Sequence, residues 1–167
     1  MILAIDPGDT QSAFVLLRND TLRPVMHAKE PNETILYERI PEIVGRFRPD
    51  VAIEMVACYG MTAGKSLFDT CVWIGRFWEA CGTSPHRELI YRIEEKMDLC
   101  HNSRAKDANI RQALIDRFAP NTSNGGKGTK KEPGFFYGFS ADQWAAMAVG
   151  VTYADWRTGR FQRTGRN

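Results

Sequence analysis

The sequence predicts an α/β fold in which helices flank a mixed sheet of five strands. Two apolar stretches, at 2–6 and 51–56, have the composition of buried strands, and each carries one acid near its end. The stretches at 12–17 and 21–28 are β-prone and separated by a turn, which predicts an antiparallel meander. A helical stretch precedes 51–56, so that strand is expected to run parallel to its neighbour, and 86–93 predicts the fifth strand.

Four helices are predicted from apolar residues at helical spacing. They cover about residues 34–47, 64–81, 103–118 and 140–156. Asn32 is a candidate N-cap for the first helix, and Pro41 within it predicts a kink or a late start. Ser140 is a suitable N-cap for the last helix.

The composition is that of an ordinary globular protein, with 43% hydrophobic and 25% charged residues. No apolar run is long enough to cross a bilayer and no signal peptide is recognisable, so we expect a cytoplasmic protein that does not enter membranes. The four cysteines form no Cys-x-x-Cys pair, which favours buried, reduced thiols. We expect one domain over residues 1–157 and a basic, mobile tail over 158–167.

The charge is distributed unevenly along the chain. Residues 1–99 carry 11 Lys/Arg and 15 Asp/Glu, a net charge of −4, whereas residues 100–167 carry 11 Lys/Arg and 5 Asp/Glu, a net charge of +6. A basic part beside an acidic part indicates a polyanionic partner such as nucleic acid. A solvated basic surface is the alternative.

Two acids are expected to meet at one edge of the sheet. Asp6 and Glu54 each lie at the end of a buried strand, and neighbouring parallel strands end at the same edge. Two carboxylates held together repel, so one stays protonated or a cation such as Mg²⁺ or Mn²⁺ joins them. The alternatives are that Asp6 caps the Asp-Pro-Gly turn and that Glu54 forms a salt bridge. Asp142 lies in the first turn of the last helix, where interaction with the helix dipole is a sufficient explanation by itself.

The segment 59–66 resembles a phosphate-binding P-loop but departs from it at Tyr59, where the first glycine should stand. A helix N-terminus with Lys65 and Ser66 can still bind a single backbone phosphate. The prediction for this segment is therefore not a nucleotide site but the weaker one that Lys65 and Ser66 contact a phosphate of a DNA backbone.

A glycine-rich basic loop at 124–134 is expected to be flexible and to contact phosphates. Its candidate DNA-binding residues are Lys127, Lys130 and Lys131. The aromatic residues after it could stack on bases. We favour packing of Phe135 and Tyr137 against the core.

The helix at 64–81 is apolar over most of its circumference. One face can pack on the domain core, and the surplus, chiefly Trp73 and Phe77, predicts a second packed face that serves self-association. A helix enclosed within one domain is the alternative.

The ordered set of motifs resembles the RuvC-type Holliday junction resolvases, especially phage-encoded ones, within the RNase H-like nucleases. The matching segments are Ile5-Asp6-Pro-Gly8, Ala52-Ile-Glu54, Arg104-Ala-Lys106-Asp107-Ala-Asn-Ile-Arg-Gln-Ala-Leu114 and Ala141-Asp142-Gln-Trp-Ala-Ala-Met-Ala148. The resemblance implies an RNase H-like fold and a homodimer, formed through the helix at 64–81, that cuts branched DNA.

The resemblance also implies a two-metal active site. Asp6 would bridge two Mg²⁺ or Mn²⁺ ions, and Glu54 and Asp142 would each complete one ion's site. Lys106 would offset charge on the phosphorane. Arg104, in the same motif, is expected to contact DNA.

One position departs from the family pattern. Ala145 stands where the RuvC pattern has a second aspartate in the last helix, so one metal ligand is missing or replaced. Asp107 could substitute for it, and Asp9 is a poorer candidate. A catalytically impaired protein that only binds junctions therefore stays open. A general branched-DNA or flap nuclease on the same fold is a second alternative, because recognition of DNA structure rests on shape and phosphate contacts.

Overall fold

The computed structural model describes residues 1–58, 60 and 62–163. Its five strands are β1 Ile2–Asp6, β2 Gln11–Leu17, β3 Pro24–Pro31, β4 Asp50–Met55 and β5 Arg87–Tyr91. They form one sheet in the order β3-β2-β1-β4-β5. The pairs β1–β2 and β2–β3 are antiparallel, whereas β1–β4 and β4–β5 are parallel. The predicted mixed five-stranded sheet is confirmed.

Six α-helical segments flank the sheet. They are α1 Asn32–Thr34, α2 Ile40–Phe47, α3 Lys65–Ala80, α4 Arg92–Cys100, α5 Asp107–Phe118 and α6 Ala141–Arg157. A π-helical segment, Ile35–Arg39, joins α1 to α2. The wide turn ends just before Pro41, which has no amide hydrogen to donate. A kink or a late start of the helix was predicted from Pro41. The structure shows a late start, in which a π-helical segment precedes α2.

Helix α4 was not predicted, since the strand at 86–93 and a connector at 99–102 were expected in its place. The β5 strand ends at Tyr91, whose backbone N–H donates to the Glu94 side chain at 2.7 Å. This bond closes a cap at the start of α4. Strand β3 also differs from the prediction, because it continues to Pro31 instead of ending at Ala28.

The two faces of the sheet carry separate apolar layers, because alternate side chains of a strand point to opposite faces. On one face, Ile2 and Ala4 of β1 pack with α5 and α6. On the other, Leu3 and Ile5 pack with α2 and α3. Helix α6 approaches closely at Gly150, where a Cβ would lie 2.6 Å from the Leu17 side chain. Burial of these two layers holds the ends of β1 and β4, with Asp6 and Glu54, in place.

Two segments that were expected to be mobile make specific contacts. In the predicted tail, Arg163 donates to the Glu88 carboxylate at 3.0 Å and to the Leu89 carbonyl at 3.1 Å, both on β5, whereas 164–167 lie outside the described residues. The loop at 124–134 closes on itself through a bridge between Gly128 and Pro133. Phe135 stacks on Phe118 with ring centroids 5.0 Å apart, as expected, whereas Tyr137 is exposed.

Within the described residues, no helix is long and apolar enough to span a membrane. The four cysteines are unpaired. Only Cys81 of them is buried, so the prediction of buried thiols is correct for one residue of the four. Partial exposure of the others follows from their positions on α3, α4 and the segment after β4.

A polar cluster links the last three helices. Arg117 of α5 donates to Asp155 of α6 at 2.8 Å, and Asp98 of α4 lies beside them. Burial and repulsion by Asp155 raise the pKa of Asp98 to about 7. Asp98 therefore keeps its proton in the folded protein at pH values where the unfolded chain has lost it.

We expect Asp98→Asn to make folding stability less dependent on pH. Since the pKa of Asp98 is higher in the folded state, its contribution to stability is lost as pH rises from about 4 to about 7. The variant should match wild type near pH 4 and gain about 1 kcal/mol above pH 7, after allowance for solvent screening. Urea unfolding at pH 4 and pH 8 measures this, and a difference that is the same at both pH values would contradict it.

Candidate active site

The sheet places four residues in one row across the face that carries α6. Asp6 pairs with Ala13 of β2, and Ala13 pairs with Lys29 of β3. On the other side, Ile5 pairs with Ile53, so Asp6 lies next to Glu54 in the parallel register. Ala4 and Ala52 face the α6 layer, and Asp6 and Glu54, each two residues further along, face the same way. The strand pattern alone therefore brings the two acids together.

The turn after Asp6 is fixed by a buried hydrogen-bond network. Asn32 accepts from the Ser12 hydroxyl at 2.6 Å and donates to the Gly8 carbonyl at 3.0 Å, while the Gly8 N–H donates to Ser12 at 3.1 Å. Asn32 is thus not the N-cap that was predicted; Pro31 precedes the helix, and the Asn32 side chain holds the turn. Gly8 is required, because a Cβ there would lie 2.3 Å from the Gln11 carbonyl oxygen.

Asp6 and Glu54 interact with each other, and the pKa of each is raised. Withdrawal from water, repulsion by Glu54 and a hydrogen bond to Glu54 raise the pKa of Asp6 to about 8. Burial also raises the pKa of Glu54, although the charge of Arg92 opposes this. The raised pKa values of Asp6 and Glu54 favour retention of a proton by the pair. A pair of this kind is poised to exchange the proton for a cation.

Asp142 faces the pair from the start of α6. Ser140 caps that helix, its backbone N–H donating to the Gln143 side chain at 2.6 Å, which supports the predicted N-cap. The Asp142 carboxylate is ion-paired with Lys29, and its side chain remains 36% exposed. Its negative charge contributes to the raised pKa of Asp6.

Arg92 links Glu54 of the pair to two further carboxylates. Its guanidinium contacts Glu95 at 2.5 Å and Asp107 at 2.6 Å, and it interacts electrostatically with Glu54. Glu95 is fully buried, and burial followed by repulsion from Glu54 raises its pKa well above the ordinary value. Arg92 is therefore the counter-ion shared by Glu54, Glu95 and Asp107.

These residues border one cleft of about 860 Å³. The lining includes Asp6, Glu54, Arg92, Asp107, Arg111, Asp142 and Ala145. Over residues 1–58, 60 and 62–163, no three acid, histidine or cysteine side chains yet stand close enough to hold one metal ion. The contacts explain this, since Lys29 holds Asp142 and Arg92 holds Asp107. The all-oxygen donor set nevertheless fits Mg²⁺ or Mn²⁺.

The predicted phosphate site at the start of α3 lies apart from this cleft. The Ser66 hydroxyl donates to Asp9 at 2.7 Å, and Lys65 pairs with Asp69 at 2.5 Å. Both polar groups are thus engaged by acids. Asp9 is exposed and directed to Ser66, which agrees with its ranking as a poor metal ligand.

The remaining predicted residues surround the cleft without lining it. Arg104 and Lys106 are exposed just before α5, and Lys106 directly precedes Asp107. Lys130 and Lys131 are exposed in the 124–134 loop, and Lys127 is partly buried. Gly125, in the same loop as the three lysines, lines the cleft.

Four residues of the site were not predicted from the sequence: Lys29, Arg92, Glu95 and Arg111. Lys29 falls beyond the predicted end of the third strand, and the register that pairs it with Ala13 depends on that strand's full length. Arg92 and Glu95 belong to the unpredicted helix α4. The signal that was available is Glu94, three residues after Tyr91, which is the spacing of a helix cap.

The fold is shared with solved structures of RuvC. Two solved structures of RuvC from Thermus thermophilus superimpose on the chain with a TM-score of 0.67 each. One of them, at 16% sequence identity, is in complex with a Holliday junction substrate, and 96% of this chain and 97% of that chain are covered. The other is 18% identical, with 96% and 98% covered. No protein-family model and no curated protein sequence matches. The predicted RNase H-like, RuvC-type fold is confirmed.

Proposed function

We propose that this protein is a cytoplasmic endonuclease that cuts four-way DNA junctions by metal-dependent hydrolysis of phosphodiester bonds. The observation that carries the proposal is the contact between Asp6 and Glu54 in a cleft that Asp142 also lines. Paired carboxylates facing a cleft repel a polyanion unless a cation intervenes. The fold shared with RuvC, one structure of which holds a Holliday junction, supports junction DNA as the substrate.

Asp6 and Glu54 would hold Mg²⁺ or Mn²⁺, two ions per active site, with Asp142 as the third ligand. Asp107 is the candidate for the ligand that Ala145 cannot supply, since both residues line the cleft. When bound, such ions activate water and stabilise the leaving oxygen of the phosphodiester. The chain itself contributes the arrangement of the acids. Lys29 pairs with Asp142 and Arg92 pairs with Asp107, and bound cations would take the place of these two basic side chains.

The basic residues outside the cleft would bind the arms of the junction. Phosphate contacts by lysine and arginine give affinity without sequence preference and position DNA of a particular shape. Lys127, Lys130, Lys131 and Arg104 suit this role, and Lys106 would act beside Asp107. Lys65 and Ser66 would first have to release Asp69 and Asp9.

A homodimer would give two cuts related by symmetry, as a junction with two-fold symmetry requires. The apolar surface for it is not the one predicted, because Phe77 is fully buried and Trp73 packs on the core. The exposed apolar residues of α3 are instead Phe68 and Val72, each 61% exposed. We propose self-association through these two side chains.

Val72→Asp is expected to convert the dimer to a monomer, because it places a charge in the apolar contact. Sedimentation velocity at 10–50 µM measures the mass, at concentrations on the order of typical dimer affinities. Val25→Asp is the matched control, since Val25 is 51% exposed on β3 and lies outside α3. A wild-type protein that sediments as a monomer contradicts the proposed dimer.

The test of the function is cleavage of a labelled four-way junction and of linear duplex with the same sequence, with Mg²⁺, with Mn²⁺ and with EDTA. Paired cuts in the junction alone, lost in EDTA, are the expected result. Equal cutting of both substrates would indicate a general nuclease. Binding of the junction without cutting would favour a protein that only binds junctions, for which Ala145 and the Lys29–Asp142 pair provide the reason.

A further inference from the structure

Helix α5 contributes a cation, Arg111, to the wall of the cleft that the carboxylates also line. Arg111 is exposed, and its guanidinium lies over the ring of Trp144 with 4.9 Å to the centroid. Trp144 is buried, with 5% of its surface exposed, and belongs to the core around α6. A planar guanidinium stacked on a fixed ring is held in position while its edge N–H groups remain free.

Arg111 differs from Arg92, the other arginine that lines the cleft, in its charge partners. Four acids and two arginines line the cleft. Arg92 is engaged by Glu95 and Asp107. In the described part of the chain, Arg111 has no carboxylate partner. It is therefore the cation in the cleft wall that is available to an incoming anion.

We propose that Arg111 binds a backbone phosphate of the DNA strand that enters the cleft, next to the phosphate that is cut. This inference rests on the nuclease function proposed above. The edge of the guanidinium presents paired N–H donors that match two phosphate oxygens, and the stacked position keeps the cost of ordering the side chain low. Arg111 is a DNA-binding residue that positions the strand and does not take part in the chemistry.

The loop at 124–134 extends this contact. Gly125 lies beside Arg111, where a Cβ would be 3.7 Å from Arg111 Nη2 and 3.3 Å from Ile115 Cδ1. Gly125 also lines the cleft and begins the basic loop. Lys127, Lys130 and Lys131 follow Gly125 in the same loop. The position of Arg111 connects the site of cutting with the basic loop.

The test compares Arg111→Ala and Arg111→Lys with wild type on one labelled four-way junction. Binding in EDTA is measured across a series of salt concentrations, and cleavage is measured with Mg²⁺ at limiting and saturating protein. Arg46→Ala is the matched control, since Arg46 is exposed and lies 5.0 Å from the Phe47 ring, but on α2 at the other face of the sheet. Circular dichroism confirms that each variant is folded.

We expect Arg111→Ala to bind the junction roughly tenfold more weakly at 100 mM salt and to reduce the slope of log K against log salt by about 0.9. The rate at saturating protein should stay within about twofold of wild type, which separates binding from chemistry. Arg111→Lys should restore the slope but only part of the affinity, because it keeps the charge and loses the planar fork.

Two other results are distinguishable. If wild type cuts the junction and Arg111→Ala has an unchanged slope and affinity, the role of Arg111 is overturned and the nuclease function stands. If wild type neither binds nor cuts the junction, the proposed function fails and this inference fails with it. An equal loss in Arg46→Ala would show a general charge effect and would also overturn the assignment.

Discussion

Asp6→Asn is expected to abolish cleavage of junction DNA while leaving the protein folded and able to bind DNA. The substitution keeps the shape of the side chain and removes the carboxylate that contacts Glu54. Loss of one ligand from a proposed metal site of this kind should lower the rate constant by roughly 10³-fold or more. Cleavage of the labelled junction under single-turnover conditions, with binding measured in parallel in EDTA, gives both quantities.

The same substitution should stabilise the protein in the absence of metal. The pKa of Asp6 is raised to about 8 from near 3.8, so its contribution to stability falls as pH rises through this range and is lowest above pH 8. Asparagine does not ionise and has no such penalty. The free energy of unfolding of the variant should therefore be about 2 kcal/mol higher than that of wild type at pH 8 in EDTA. A gain in stability with a loss of activity is the pattern expected of a functional, strained site.

Asp9→Asn is the matched control for both measurements. Asp9 is an exposed aspartate three residues after Asp6, bonded to Ser66 and outside the cleft. This variant should cut at close to the wild-type rate. Cutting by Asp6→Asn at a rate near that of Asp9→Asn would remove Asp6 from the proposed mechanism, whatever the stability measurements show.

Arg92→Met is expected to have the largest effect on stability. It removes the counter-ion of Glu95, which is fully buried, and of Asp107. Deleting one partner of a buried ion pair leaves an uncompensated charge and costs about 3–5 kcal/mol. Urea unfolding at pH 7 measures the change in the free energy of unfolding.

A double variant separates this electrostatic effect from lost packing. Arg92→Met combined with Glu95→Gln removes both charges, so more than half of the lost stability should return. Arg18→Met is the surface control, because the Arg18–Asp20 pair is exposed on both sides, and its unfolding should match wild type. If the free energy of unfolding of the double variant is no higher than that of Arg92→Met alone, the ion pair between Arg92 and Glu95 does not account for the lost stability.

Much of the fold could be predicted because the local patterns agree with the tertiary structure. The runs that end at Asp6 and Glu54 are apolar, short and interrupted by one acid each, and both are strands in the sheet. A parallel connection through a helix then places the acids side by side without any information from elsewhere in the chain. The third acid, Asp142, follows a helix cap that the sequence also shows.

What could not be predicted depends on neighbours that are distant in sequence. Helix α3 is apolar on several sides, and only the packing of the core decides that Phe77 is buried and Phe68 exposed. The apolar Ile93 continues the pattern of β5, which conceals the start of α4. Lys29 reaches Asp142 only because three strands align in register. Partners that span a sheet have no local sequence signature.

The carboxylates of the cleft come from both ends of the chain, and this has a consequence for synthesis on the ribosome. Asp6 and Glu54 are translated before Asp142 and before the apolar face of α6 that covers Ile2 and Ala4. Chains fold largely in the order in which they are made, with later segments completing earlier ones. A nascent chain therefore lacks both the third carboxylate of the cleft and one apolar layer of the sheet until α6 has been made.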